Sequence, residues 1–198
     1  MSRELILVLG GARSGKSSYA EKLAAGMGEQ VLYLATAQAG DEEMRSRIEK
    51  HQASRPSSWR TVEAPIEVGP ALRAALEAEP ADVVLVDCLT LLVTNCVLQG
   101  LPNPPGDDDL DNVDETAARG RITAELDQLL DAFRARETPW IVVGNELGLG
   151  LVPPYHLGRI FRDLQGWANQ RVAAAADRVY FMVAGLPLDL KAHNGAPL

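Results

Sequence analysis

An α/β fold, with a mainly parallel sheet flanked by helices on both faces, is what this sequence predicts. Three observations point to it. Short apolar runs recur along the chain, stretches of helical period separate them, and the first run leads directly into a glycine-rich loop. Runs that are apolar at every position belong to strands buried on both faces, and helical crossovers are how parallel strands are joined.

The elements follow in order. Leu5 to Leu9 reads as a buried strand, and Lys16 to about Ala25 as a helix ending near Gly26 and Gly28. Val31 to Ala35 is a second strand. Residues 41–54 read as a helix, with Asp41 as its cap, Glu42 and Glu43 in its first turn and Pro56 beyond its end. Trp59 to Ala64 is a third strand. Ile66, Val68, Leu72, Ala75 and Leu76 suit a helix beginning after Pro70. Val83 to Val86 is a strand closed by Asp87, and Cys88 to Leu98 a helix. Pro102 to Asp114, with three prolines and the run Asp107-Asp108-Asp109, reads as a solvated loop. Ile122, Leu126, Leu129, Leu130 and Phe133 recur at helical spacing. Trp140 to Val143 is a strand, Leu157 to Ala176 a helix, and Val179 to Val183 the final strand.

The 198 residues suffice for one domain with a sizeable core, and neither an internal repeat nor a linker divides them, so residues 1–198 read as a single domain. Composition is that of a globular protein, 46% hydrophobic and 23% charged. A net charge of -8 argues against sequence-independent binding to nucleic acid. Cys88 and Cys96 make no disulfide framework and lie in an apolar stretch, so they read as small buried hydrophobes of a cytoplasmic protein. The Leu5–Leu9 run is too short for a signal peptide, and no segment is long and apolar enough to span a membrane.

The chemistry begins at Gly10-Gly11-Ala12-Arg13-Ser14-Gly15-Lys16-Ser17, which fits G-x-x-x-x-G-K-[ST] between a strand and a helix. Glycines let the backbone curl so that successive N–H groups face phosphate, and the helix presents its positive end. Lys16 supplies charge to the β- and γ-phosphates, and the Ser17 hydroxyl ligates Mg²⁺. Asp87, at a strand tip, is the second Mg²⁺ ligand. The fold is thereby narrowed to the three-layer P-loop NTPase type.

His51 is one of three histidines, and Arg47 is its i,i+4 neighbour on the predicted helix. Arg55 lies four residues further, at a frayed end before Pro56. Adjacent cations favour neutral imidazole, the nucleophilic form. The same residues also read as an ordinary exposed helix face of mixed charge. His156 and His193 have no comparable setting.

These segments resemble the bifunctional adenosylcobinamide kinase / adenosylcobinamide-phosphate guanylyltransferases of cobalamin biosynthesis, nearly end to end. The resemblance is carried by the Gly10–Ser17 loop, Leu32 to Thr36, and Glu43-Met44-x-x-Arg47-Ile48-x-x-His51-x-x-x-Arg55-Pro56-x-x-Trp59. Further matches are Thr61 to Glu63, Val86 to Asn95, Asn145 to Pro153, Asn169-Gln170-Arg171 and Ala184 to Lys191. The histidine and Asn145–Pro153 segments are the specific ones.

The resemblance implies two reactions. A nucleoside triphosphate, ATP or GTP, phosphorylates the aminopropanol hydroxyl of adenosylcobinamide. His51 then attacks the α-phosphorus of GTP, and the GMP-histidine passes GMP to adenosylcobinamide phosphate, giving adenosylcobinamide-GDP. Besides Gly10 to Ser17, the resemblance implies nucleotide contacts for Ala35, Thr36, Arg55, Glu63 and Asp87, with Glu63 reading guanine. Asn145 and Glu146, after a strand, fall to the kinase acceptor or to Mg²⁺. It also implies a homotrimer. Two departures stand out: Ala37 replaces a Ser of some members, and Gly144 stands where Thr or Ser is expected, which predicts a looser loop. The alternatives are a small-molecule kinase without the guanylyl step, and a GTP-binding switch. The chain lacks the Asn-Lys-x-Asp motif usual in such switches.

Overall fold

The computed structural model describes residues 3–38, 55–102 and 105–193. Its centre is a seven-stranded sheet of β1 (Leu5–Gly10), β2 (Val31–Ala35), β3 (Arg60–Glu63), β4 (Val83–Asp87), β5 (Trp140–Asn145), β6 (Arg178–Val183) and β7 (Leu186–Asp189). Their order is β3-β2-β4-β5-β1-β6-β7. All pairings are parallel except β6 with β7.

The helices are α1 (Lys16–Met27), α2 (Val68–Ala78), α3 (Leu89–Leu98), α4 (Asp107–Asp111), α5 (Glu115–Arg134), α6 (His156–Ala175) and α7 (Leu190–His193). Because strand side chains alternate, each inner strand feeds two cores. Leu7, Leu34, Val86 and Val142 meet α2, α3, α5 and α6 on one face. Val8, Tyr33, Leu85 and Val143 meet α1 on the other. This double burial is why the strands read as unbroken apolar runs. Among the described residues, no helix is long and apolar enough to cross a membrane. The predicted helix over residues 41–54 lies outside the described residues.

Three expectations are corrected. Helix α2 starts at Val68 rather than after Pro70. Pro70 falls in the first turn, where its missing N–H costs no helical bond. The segment expected to be loop contains α4, where the Gly106 N–H donates to Asp109 Oδ2 at 2.9 Å. Asp108 and Asp109 there sit at the positive helix end. Finally, β6 is not the last strand. The two-residue turn Ala184-Gly185, with φ of 51° and 82°, returns the chain as antiparallel β7.

Glu125 of α5 is buried and starts α2. Its carboxylate accepts the N–H groups of Glu67 at 2.6 Å and Val68 at 3.1 Å. The replacement Glu125→Ala orphans both donors, so we expect a stability loss of about 2 kcal/mol, read as a shift in the urea midpoint. Cys88 and Cys96 are buried free thiols, as expected. Burial pushes their pKa values up to about 11 and about 12, respectively.

Candidate active site

The carboxyl ends of the parallel strands form one edge, and most of the predicted site residues lie along it. Parallel registry puts Ala35 level with both Glu63 and Asp87, so three adjacent strand tips form a row. Gly10 is level with Asn145 and Met182 on either side. Crevices beyond the carboxyl ends of such strands are where α/β sheets bind ligands.

The phosphate loop is tightly built. A Cβ on Gly10 would lie 2.5 Å from Ser14 Oγ and 2.9 Å from the Met182 carbonyl oxygen, so only glycine fits at the exit of β1. Ser14 N–H donates to the Gly11 carbonyl at 3.3 Å, and the Lys16 ammonium to the same oxygen at 3.2 Å. Arg13 holds a left-handed φ of 56°, which for a residue with a Cβ costs about 1–2 kcal/mol. Such strain clusters at ligand clamps. Ser14 Oγ is buried without a hydrogen-bond partner. Lys16 and Ser17 are the first two residues of α1, so the loop sits at that helix's positive end.

The turn between β6 and β7 braces this loop. Gly185 N–H donates to the Ser14 carbonyl at 3.0 Å, and a Cβ on Gly15 would lie 3.3 Å from Gly185 Cα.

Asp87 is held from below. Tyr33, on β2, donates its phenolic hydrogen to Asp87 Oδ2 at 2.9 Å. Burial first, and then the Asp87 charge, hold the Tyr33 phenol far above its ordinary pKa, so it stays a donor. The Arg55 guanidinium lies 3.3 Å from the centre of the Tyr33 ring. Arg55 Nη1 also reaches Thr61 Oγ1 at 3.5 Å. Thr36 lies beneath the site: fully buried, its hydroxyl both donates to the Cys88 carbonyl and accepts the Cys88 N–H, each at 2.8 Å. Glu63 is exposed at the end of β3. His51 and Arg47 lie outside the described residues.

Gly144 does not loosen its surroundings. A Cβ there would lie 3.1 Å from Leu9 Cδ2 and 3.2 Å from Asn169 Oδ1. Those two side chains fill the space that a larger residue would occupy. Sequence reasoning missed Tyr33 as a site residue. Its one signal was a phenol in an aliphatic buried strand, which needs a hydrogen-bond partner.

Mg²⁺ suits the oxygen donors present, a hydroxyl at Ser17 and a carboxylate at Asp87. Among the described residues, no three acids, cysteines or histidines cluster. A Mg²⁺ held mainly by nucleotide phosphates needs only one or two protein ligands.

The family model described as cobinamide kinase / cobinamide phosphate guanyltransferase matches residues 6–190. A bifunctional adenosylcobalamin biosynthesis protein of Pseudomonas aeruginosa is 45% identical over 192 residues, covering 97% of this chain and 98% of that protein. Proteins of the same description from Escherichia coli and Salmonella typhimurium are 43% and 41% identical, each covering 94% of this chain and 99% of its own length. Among solved structures, a KaiC-like protein of Pyrococcus horikoshii superposes with a TM-score of 0.46 at 12% identity, covering 91% of this chain and 72% of that one. With the phosphate loop on β1 and α1, and relatives matched along almost their whole length, this chain belongs to the cobinamide kinase / cobinamide phosphate guanyltransferase family.

Proposed function

We propose that one triphosphate site serves both reactions of the family: phosphorylation of the adenosylcobinamide hydroxyl, and transfer of GMP from GTP to the resulting phosphate through His51. The observation that carries this reading is the shared edge. The loop Gly10 to Ser17, the Asp87 tip and the Glu63 tip lie on one side of one sheet. Glu63 and Gly10 are four strand spacings apart, about 19 Å, on the scale of an extended nucleoside triphosphate. In this reading the loop amides and Lys16 hold the β- and γ-phosphates. Arg55 faces the nucleotide from Tyr33, and Glu63 accepts from guanine N1–H and N2–H₂. Ala35 lines the floor, whereas Thr36 is corrected to a support beneath it. Fully buried, its N–H donates to the Asp87 carbonyl at 3.3 Å and its carbonyl accepts from Asn95 Nδ2 at 2.9 Å, so it does not touch the nucleotide.

Ser17 and Asp87 would hold Mg²⁺, which neutralises charge on the β- and γ-oxygens. Tyr33 fixes the Asp87 carboxylate for that task. Tyr33→Phe is therefore expected to lower kinase turnover about 10-fold and to raise the Mg²⁺ concentration needed for half-maximal rate. Steady-state kinetics over a Mg²⁺ titration check it. An unchanged Mg²⁺ requirement would separate Tyr33 from the metal.

We further read the chain as a single-domain cytoplasmic enzyme that acts as a homotrimer and has no nucleic-acid partner. The test of the function is direct. Incubation with adenosylcobinamide and GTP should yield adenosylcobinamide phosphate and then adenosylcobinamide-GDP. Accumulation of the phosphate alone would leave only the kinase.

A further inference from the structure

The tip of β5 carries groups that nucleotide binding leaves unused. β5 lies between β1, which feeds the phosphate loop, and β4, which ends at Asp87. Asn145 is level with Gly10. Its main chain is engaged: the N–H donates to Thr90 Oγ1 at 2.7 Å, and the carbonyl accepts from Asn169 Nδ2 at 2.9 Å. Its side-chain oxygen, Oδ1, is buried and has no partner. A buried oxygen without a donor is uncommon in native proteins. The main-chain bonds to Thr90 and Asn169 fix the backbone from which Glu146 projects.

The next residue completes the arrangement. Glu146 N–H donates to the Gly10 carbonyl at 3.1 Å, tying it to the start of the phosphate loop. Its carboxylate is held from two sides, accepting Gly148 N–H at 2.7 Å on Oε1 and Asn169 Nδ2 at 3.4 Å on Oε2. Glu146 and Gly148 line one end of a groove of about 500 Å³ that runs along α6. The groove is apolar at Leu9, Trp167 and Val179, and polar at Asn169, Gln170 and the Arg162–Asp163 ion pair. Mostly apolar walls with a few placed polar groups suit an aliphatic arm bearing an amide.

We propose that this is the acceptor side of the phosphorylation step. The groove takes the amide-linked arm of the alcohol substrate, and Glu146, which lines it, accepts the hydroxyl hydrogen bond and is the general base. The proposal rests on the reading that Gly10 to Ser17 hold a triphosphate. In the step, the alcohol oxygen forms a bond to the γ-phosphorus, and the bond from that phosphorus to the β,γ-bridging oxygen breaks. The bridging oxygen keeps the electron pair and leaves on the nucleoside diphosphate. The alcohol proton passes to Glu146, which returns it to water.

Two variants test it. With adenosylcobinamide and GTP, Glu146→Gln is expected to lower kinase kcat about 10²–10³-fold, with unchanged affinity for a non-hydrolysable GTP analogue. Gly166 also lines the groove, and a Cβ there meets nothing within 4 Å. Leucine is a better helix former than glycine, so Gly166→Leu fills the groove without disturbing α6. It should raise KM for adenosylcobinamide about 10-fold, with kcat and the nucleotide KM unchanged. Undiminished turnover of Glu146→Gln, or an unchanged corrinoid KM in Gly166→Leu, overturns the proposal while the analogue still binds. A wild-type chain that does not bind the analogue overturns the phosphate-loop reading, and this proposal with it.

Discussion

Replacing Lys16 by alanine is expected to lower phosphoryl transfer about 10²–10³-fold, the loss typical of removing one preorganised group from a developing anion. Lys16 is the first residue of α1, and its ammonium donates to the Gly11 carbonyl at 3.2 Å. It thus lies folded over the loop that would receive the phosphates. Alanine is the strongest helix former, so α1 persists in Lys16→Ala. An unchanged thermal midpoint would then locate the loss in the chemistry. The same substitution should slow GMP transfer, because the proposed site holds the β- and γ-phosphates in both reactions. If guanylyl transfer kept its wild-type rate, the two reactions would use separate phosphate sites.

His51→Asn should abolish the covalent GMP adduct formed from α-labelled GTP, to below about one part in 10³ of wild type, the scale seen when a covalent nucleophile is removed. Asparagine keeps a polar side chain but cannot form the phosphoramidate bond. Phosphorylation of adenosylcobinamide should largely survive, because its nucleophile is the substrate hydroxyl. Labelled protein is read after denaturation, and turnover by product formation. Persistent labelling would place the nucleophile elsewhere. Loss of both activities would assign His51 to nucleotide binding rather than to the covalent step.

Much of the fold was legible because burial on both faces writes strands as unbroken apolar runs. Val31–Ala35 has the predicted bounds, and β1, β4 and β5 extend the predicted runs by one or two residues. β7 was not legible. Leu186-Pro187-Leu188-Asp189 is four residues long, largely exposed and interrupted by proline, which only an edge strand tolerates. Its turn is Ala-Gly, without the asparagine or aspartate that usually signals a hairpin. The start of α2 was misread because Pro70 looked like a boundary, whereas the cap comes from Glu125, more than fifty residues away.

The site divides in the same way. Contiguous residues determined the phosphate loop, since its spacing alone carries the anion-binding geometry, and local pattern placed Asp87 at a strand tip. Family resemblance supplied Glu63 and the role of His51. Tyr33 beneath Asp87, Arg55 over Tyr33, Gly185 against Ser14, and Asn169 beside Asn145 and Glu146 could come only from the folded chain. A loop closed by neighbours in sequence is encoded locally. The hydrogen bonds that brace it join strands and helices far apart in the chain, and only sheet order brings those together.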